Sequence, residues 1–430
     1  MTDLRTSDYL TSKQAAELLG VSLPTLYAYV SRGLLRSRPD RDPRKRLYAR
    51  VEVEALLQGR EIRRDPGQAA AKSLQWGPPL LDSAITLIRE GRFFYRGLDA
   101  VDLSDTRRLE QVARWLWLGE TSDDNPAPRT RVIPKHWRPT LTRFPARHPG
   151  ELMQLLVRLA AAEDDAGFNL RPEAVAKTGE RLLAIFAANA AGGDHYAHSM
   201  AATLQRAWST GDPRPEIERA LNGALILCAD HELNISSFTA RCVAAAGASP
   251  YEVVNAGLSA LRGMHHGGHS DRAEALLRHL LERDDPASPQ FAERGRAELS
   301  ARLARGDELP GYGQKLYPDG DPRFHALKRL TQAAFPDEPR VHACFAVIRA
   351  GAELLGEHPT VDYGLAALAV GLGLPPGSAW HLFAMGRCVG WLAHAIEQYQ
   401  DSFIRPRARY VGPPPAPRSG NDDPRGGPGA

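Results

Sequence analysis

Long apolar runs are missing from this chain. None reaches the roughly 18 residues that a bilayer-spanning helix needs, and the first residues lack the basic, apolar and small-residue succession of a secretory signal. Both absences point to a cytoplasmic protein with no membrane partner. Cysteine is also scarce: Cys228, Cys242, Cys344 and Cys388 are scattered with no CxxC, as expected of free thiols in a reducing compartment. No HExxH helix or cysteine pair joins His265, His266 and His269, so no metal set is expected. The net charge is only +3, too small by itself to imply nucleic acid. Strand signals are few, and no short-period repeat is present. What remains is 430 residues, 43% apolar and 24% charged, enough for more than one domain and a sizeable core.

The first 64 residues read as a unit of their own. Thr11 and Gln14 make a capping box before Ala15, Ala16, Leu18 and Leu19, and Gly20 stops that helix. Ser22 caps a second helix over 23–32, which Gly33 ends. Two short helices around a tight glycine turn form a helix-turn-helix. Residues 34–50 follow as a wing-like hairpin around DRDPRK, with Arg36, Arg38, Arg41, Arg44, Lys45, Arg46 and Arg50 against Asp40 and Asp42. This arrangement resembles the MerR and excisionase group of DNA-binding domains. The resemblance implies duplex DNA as a partner, with Thr25, Tyr27, Tyr29 and Arg32 on or near a recognition helix and Arg44, Lys45 and Arg46 against phosphates. A solvated basic hairpin or a protein-docking module is the alternative. Residues 65–76 read as a linker, and 413–430, rich in proline and glycine, as a disordered tail.

Chemistry concentrates between Cys228 and Ser270. Leu225, Ile226 and Leu227 lead directly into Asp230, His231, Glu232 and Asn234, polar groups that cost free energy in a core unless paired or bound. Ser249-Pro250-Tyr251-Glu252 opens a helix with Val254, Leu258 and Leu261 on one face, ending at Gly263. His266 follows, beside Gly267 and Gly268, where a ligand has room to approach the backbone. An imidazole placed there suits acid–base chemistry or polarisation of a carbonyl, although a lone histidine at a helix end is more often a cap.

ADHELN followed by HHGGH resembles the signature of the citrate synthase family. GYGQKLYPDGDPR, TVDYG, FAMGRCVGWLAHAIEQ and IRPRARYVG agree with it in the family's order, over roughly residues 77–412. The resemblance implies a mainly α fold with all-helical large and small domains, the small one roughly 272–375, preceded by the winged unit. Of the connections, 121–149 reads as a proline- and arginine-rich loop.

The resemblance also implies roles. Asp362 takes a proton from the methyl carbon of acetyl-CoA, although an aspartate at a helix start is usually an N-cap. His266 donates to the developing enolate oxygen. His231, Arg323 and Arg387 bind oxaloacetate, with Arg405 supplied to the opposite subunit of a homodimer. No cofactor is implied, acetyl-CoA being a substrate. One departure matters: Gln314 stands where the family has the histidine that donates to the ketone. An amide keeps a neutral donor but supplies no transferable proton. Citrate synthase, 2-methylcitrate synthase using propionyl-CoA, and a DNA-binding regulator that senses an acyl-CoA or oxo acid are the readings that follow.

Overall fold

A computed structural model describes residues 9–32, 34–40, 46–50, 52–53, 56, 81–120, 131–209, 212–401, 403–406 and 411–413. Contacts divide the chain into Met1–Ser83 and Ala84–Ala430. The expected linker 65–76, Arg41, Arg44, Lys45 and nearly all of the tail lie outside the described residues.

In the first unit, β1 (Tyr9–Thr11) precedes α1 (Ser12–Leu18) and α2 (Leu23–Ser31). The reciprocal Thr11–Gln14 capping box is present, Gly20 ends the first helix at φ +61°, and the Ser22 hydroxyl accepts from Thr25 N–H. The wing is β2 (Ser37–Pro39) and β3 (Arg46–Ala49), antiparallel with Ser37 opposite Tyr48, and β1 pairs on the other side of β3. Leu10, Ala15, Leu19, Leu26, Leu35 and Tyr48 fill a small core between helices and sheet.

The second unit opens with a meander, β4 (Thr86–Arg89), β5 (Arg92–Tyr95) and β6 (Leu98–Asp99), around the Tyr95-Arg96-Gly97 triplet. Helices follow. The 121–149 loop is corrected in part: Lys135–Trp137 forms a 3-10 turn and α5 spans Arg138–Arg143, after α3 (Ala100–Thr106) and α4 (Leu109–Leu118). Trp137, 2% exposed, anchors that stretch, and Pro139 sits in the first turn of α5, where its missing N–H costs nothing. Next come α6 (Pro149–Ala162), α7 (Pro172–Ala190), α8 (Met200–Trp208), α9 (Pro215–Cys228), α10 (Ile235–Ala245) and α11 (Pro250–Leu261). Then follow α12 (Gly268–Arg283), α13 (Phe291–Ala304), α14 (Pro322–Ala334), α15 (Pro339–Leu355), α16 (Val361–Gly371) and α17 (Ser378–Tyr399).

The 22-residue α17 is buried on nearly every side, packed by α9, α10, α11 and α16, as a helix apolar all round must be. Gly390 sets its depth. A Cβ there would stand 2.4 Å from the Ala229 carbonyl oxygen, and the Gly390 N–H donates to that oxygen at 2.9 Å. The end of α9 therefore rests on α17, and Asp230 and His231 leave it inside the core. Among the described residues no helix is long and apolar enough to cross a membrane.

Candidate active site

The turn between α9 and α10 carries the first cluster. Glu232 takes φ +55°, a left-handed conformation that costs a non-glycine residue free energy and is held by its surroundings. Asp230 is buried, accepting from the Thr86 hydroxyl at 2.5 Å and facing His394 Nε2 at 3.3 Å. Burial opposes its charge, but His394, Arg387 and Thr86 outweigh it and hold the carboxyl below its ordinary range. His231 Nε2 lies 2.9 Å from the Tyr317 hydroxyl. Burial first, then Arg323, Arg387 and His266, keep this imidazole well below its usual value, so it is neutral.

Two buried arginines flank His231, and they differ. Arg323 is 3% exposed. Asp321 caps α14 and takes Arg323 Nε at 2.9 Å and Nη2 at 2.8 Å, the bidentate pairing of guanidinium with carboxylate. The second oxygen also accepts Val361 N–H at 3.0 Å, tying α14 to the start of α16. Burial works against the charge of Arg323, but Asp321 prevails and raises its pKa. Arg387 has no such partner. Its Nε donates to the Cys228 carbonyl at 2.8 Å, its carbon lies 4.7 Å from the Phe383 ring centroid, and Nη2 is buried without a hydrogen-bond partner among the described residues. Burial lowers its pKa despite Asp230. Both arginines and Asp362 act electrostatically on the Cys228 thiol, which burial pushes up to about 12.

His266 sits on the same side of this cluster, 6.3 Å between ring centroids from Phe383. Burial, followed by Arg387 and His269, lowers its pKa to about 3. Its Nε2 lies 2.9 Å from Ser236 Oγ, which also receives Trp391 Nε1–H at 3.1 Å and donates its own proton to Asn234 Oδ1 at 2.8 Å. The expectation for the neighbouring glycines is corrected. A Cβ at Gly267 would meet the Leu261 carbonyl oxygen at 2.4 Å and Trp380 Nε1 at 2.7 Å, so the close approach there is to the protein's own core.

Asp362 is the second residue of α16, and Thr360 holds the cap position, so the N-cap reading is corrected too. The Thr360 hydroxyl donates to Asp362 Oδ2 at 2.6 Å, and Ser270 Oγ, on α12, donates to Oδ1. Each carboxylate oxygen therefore carries one hydroxyl donor. Gln314 Oε1 accepts from Leu316 N–H at 3.4 Å within its own turn, and Tyr317 reaches His231 instead. Arg405 is exposed in the coil after α17, and no contact joins it to this cluster among the described residues.

Ser236, Ser270, Tyr317 and Asp321 were not singled out from the sequence. Asp321 had a local signal, the Asp-Pro pair that opens a helix; the other three had none.

In the first unit, Thr25, Tyr27 and Arg32 lie on or at the end of α2, with Tyr27 and Arg32 exposed. Tyr29 is half-buried and packs against the unit's core with Leu26, three residues before it. Arg46 is exposed on β3, and Arg38 stacks over the Tyr9 ring at 3.3 Å.

Residues 9–61 match a helix-turn-helix domain family, and residues 74–407 match the family described as citrate synthase, C-terminal domain. Citrate synthase 2 of Bacillus subtilis is 34% identical over 206 residues, 47% of this chain and 53% of that protein, so this alignment spans about half of the relative. A 2-methylcitrate synthase of Mycobacterium tuberculosis is 29% identical over 342 residues, 74% of this chain and 84% of that protein. Among solved structures, citrate synthase of Thermotoga maritima superposes with a TM-score of 0.63 at 24% identity, covering 81% of this chain and 98% of that one. The ternary complex of Thermoplasma acidophilum citrate synthase with carboxymethyl coenzyme A and oxaloacetate gives 0.69 at 23% identity, covering 81% and 97%. With the family match spanning most of its length, and a mostly helical fold shared with these structures, the chain belongs to the citrate synthase family and carries an N-terminal helix-turn-helix domain.

Proposed function

We propose that the second unit condenses an acyl-CoA with oxaloacetate to give citrate, or a 2-alkyl homologue of it, and CoA. Arg387 carries this reading. A buried guanidinium with an unmet N–H and no carboxylate of its own is costly unless a ligand supplies one, and a dicarboxylate does so bidentately. Arg323 has two of its donors on Asp321 and offers the remainder of its fork to the same anion. His231 is a neutral partner between them, and Arg405 of a second copy completes the ligand set in a homodimer.

Asp362 then removes a proton from the α-carbon of the acyl thioester. The enolate oxygen receives a hydrogen bond from neutral His266. The enolate carbon attacks the ketone of oxaloacetate, forming the new carbon–carbon bond, and water hydrolyses the thioester to release CoA. No metal or cofactor takes part. The ketone lacks the family's histidine at Gln314, so turnover is weakened more than binding.

Acetyl-CoA leads over propionyl-CoA as the substrate. Release of free CoA, measured with each acyl-CoA and oxaloacetate, separates the two; no release above background with either removes the enzyme reading.

A second reading is favoured by Gln314 together with the helix-turn-helix match: a DNA-binding regulator that senses an acyl-CoA or oxo acid. Here the arginines of the first unit neutralise phosphates, and binding weakens with salt by a log–log slope of about −0.9 per phosphate contacted.

A further inference from the structure

The composition of the recognition helix narrows what it can read, on the reading above that the first unit binds duplex DNA. Over Leu23–Ser31, α2 contains no Asp, Glu, Lys, Arg, Asn or Gln. Leu26, Tyr29 and Val30 lean on the unit's core. Helical geometry then puts Pro24, Tyr27, Ala28 and Ser31 on the opposite face. Pro24, Tyr27 and Ser31 are exposed, Tyr27 to 50%.

Two of the helix's four hydroxyl groups are engaged within the helix and its cap. Ser31 Oγ donates to the Ala28 carbonyl at 3.0 Å, and Thr25 Oγ1 shares a hydrogen bond with Ser22 Oγ at 2.9 Å. Bidentate contacts to guanine or adenine edges need Arg, Lys, Asn or Gln, and this face has none. It offers apolar surface instead: the Tyr27 ring, the Pro24 ring and the Ala28 methyl. The apolar feature of the major groove is the C5 methyl of thymine.

The exposed cations lie outside Leu23–Ser31 itself. Arg32 follows the helix, while Arg36 and Arg46 belong to the wing segment, and all three are exposed. Exposed positive charge in the same small unit as an uncharged strip complements a polyanion with apolar groups in its groove better than it does a neutral protein surface.

We infer that α2 reads thymine C5 methyl groups by apolar contact, while the unit's exposed arginines supply phosphate affinity that is indifferent to sequence. Discrimination then lies between methyl-bearing and methyl-free steps rather than in recognition of guanine.

Full-length protein is used to select duplexes from a random library at low salt. The selected duplexes are remade with deoxyuridine for thymine, or with 5-methylcytosine·guanine at the same step, and binding is followed by fluorescence anisotropy. Deoxyuridine should weaken binding by about fourfold for each contacted methyl. At a contacted step 5-methylcytosine should bind better than cytosine by a similar factor. Tyr27→Ala, at an exposed position, should lose much of the sensitivity to deoxyuridine while keeping the salt slope, with circular dichroism confirming the fold. A selected site that binds equally well with deoxyuridine overturns the inference and leaves DNA binding standing. Failure to bind any duplex at low salt overturns the DNA reading and the inference together, and the apolar face is then a protein contact.

Discussion

Helix α2 and helix α17 place their working side chains in opposite surroundings. Tyr27 on α2 is half exposed over a core of a few side chains, whereas Arg387 on α17 is 1% exposed in the middle of the larger unit. An exposed residue costs little to keep or lose, so its presence says little until charge and shape around it are weighed. A buried cation without a carboxylate is maintained against its own desolvation, so its presence already points to a ligand. The contrast repeats within the second unit. Arg323 is buried but satisfied by Asp321, and on structure alone it passes for a helix-end ion pair; Arg387 does not.

The largest effect should come from removing that unmet cation. Arg387→Leu should weaken oxaloacetate binding by about a hundredfold or more, measured by calorimetry. The fold should be kept, because Arg387 forms no ion pair among the described residues whose carboxylate the change would strand, and Asp230 retains His394 and Thr86. Unchanged affinity in a folded variant would mean that Arg387 is structural and that the contrast with α2 fails.

Gln314→His comes next. Restoring a protonatable donor should raise kcat for acetyl-CoA condensation by about tenfold or more, with oxaloacetate affinity changing less. If the wild type already turns over at ordinary enzyme rates and the variant is no faster, another donor serves the ketone. Tyr317, against His231, would be the first to test.

On the exposed side, Arg46→Ala should lower DNA affinity about equally across sequences and reduce the salt slope by about 1. A change in sequence preference instead would show that the wing reads bases.

The smallest effect is on titration. His266 is held near 3 by burial and by Arg387, so its ring should stay neutral from pH 8 to pH 5, seen by NMR as a constant shift. A midpoint near the ordinary 6.5 would show that the ring is solvated. The same shift has a consequence for stability. Because the folded value is lowered, the unfolded chain takes up the proton first, and the stabilisation present above about 6.5 is lost as pH falls toward 3. His231 is shifted in the same direction and adds to the loss. The melting temperature should therefore drop between pH 7 and pH 5.

Much of this protein was written locally. The Thr11–Gln14 box, the Ser22 cap, the positive-φ stop at Gly20 and the helix opened by Ser249-Pro250 join residues a few positions apart, so their hydrogen bonds and periodicity are readable in order. The ordered motifs around His231, His266, Arg323, Asp362 and Arg387 were legible too, as was the helical class. Packing decided what those residues meet. Ser270 lies 92 residues from Asp362 in the chain, Tyr317 lies 86 from His231, and Ser236 lies 30 from His266. No short-range signal links such pairs. Likewise, only burial separates a surface Arg323 from one locked to Asp321, and only the crossing of α9 with α17 makes Gly390 a requirement and Asp230 a core residue. Whether a charge is satisfied depends on everything packed around it, and that is fixed when distant helices meet.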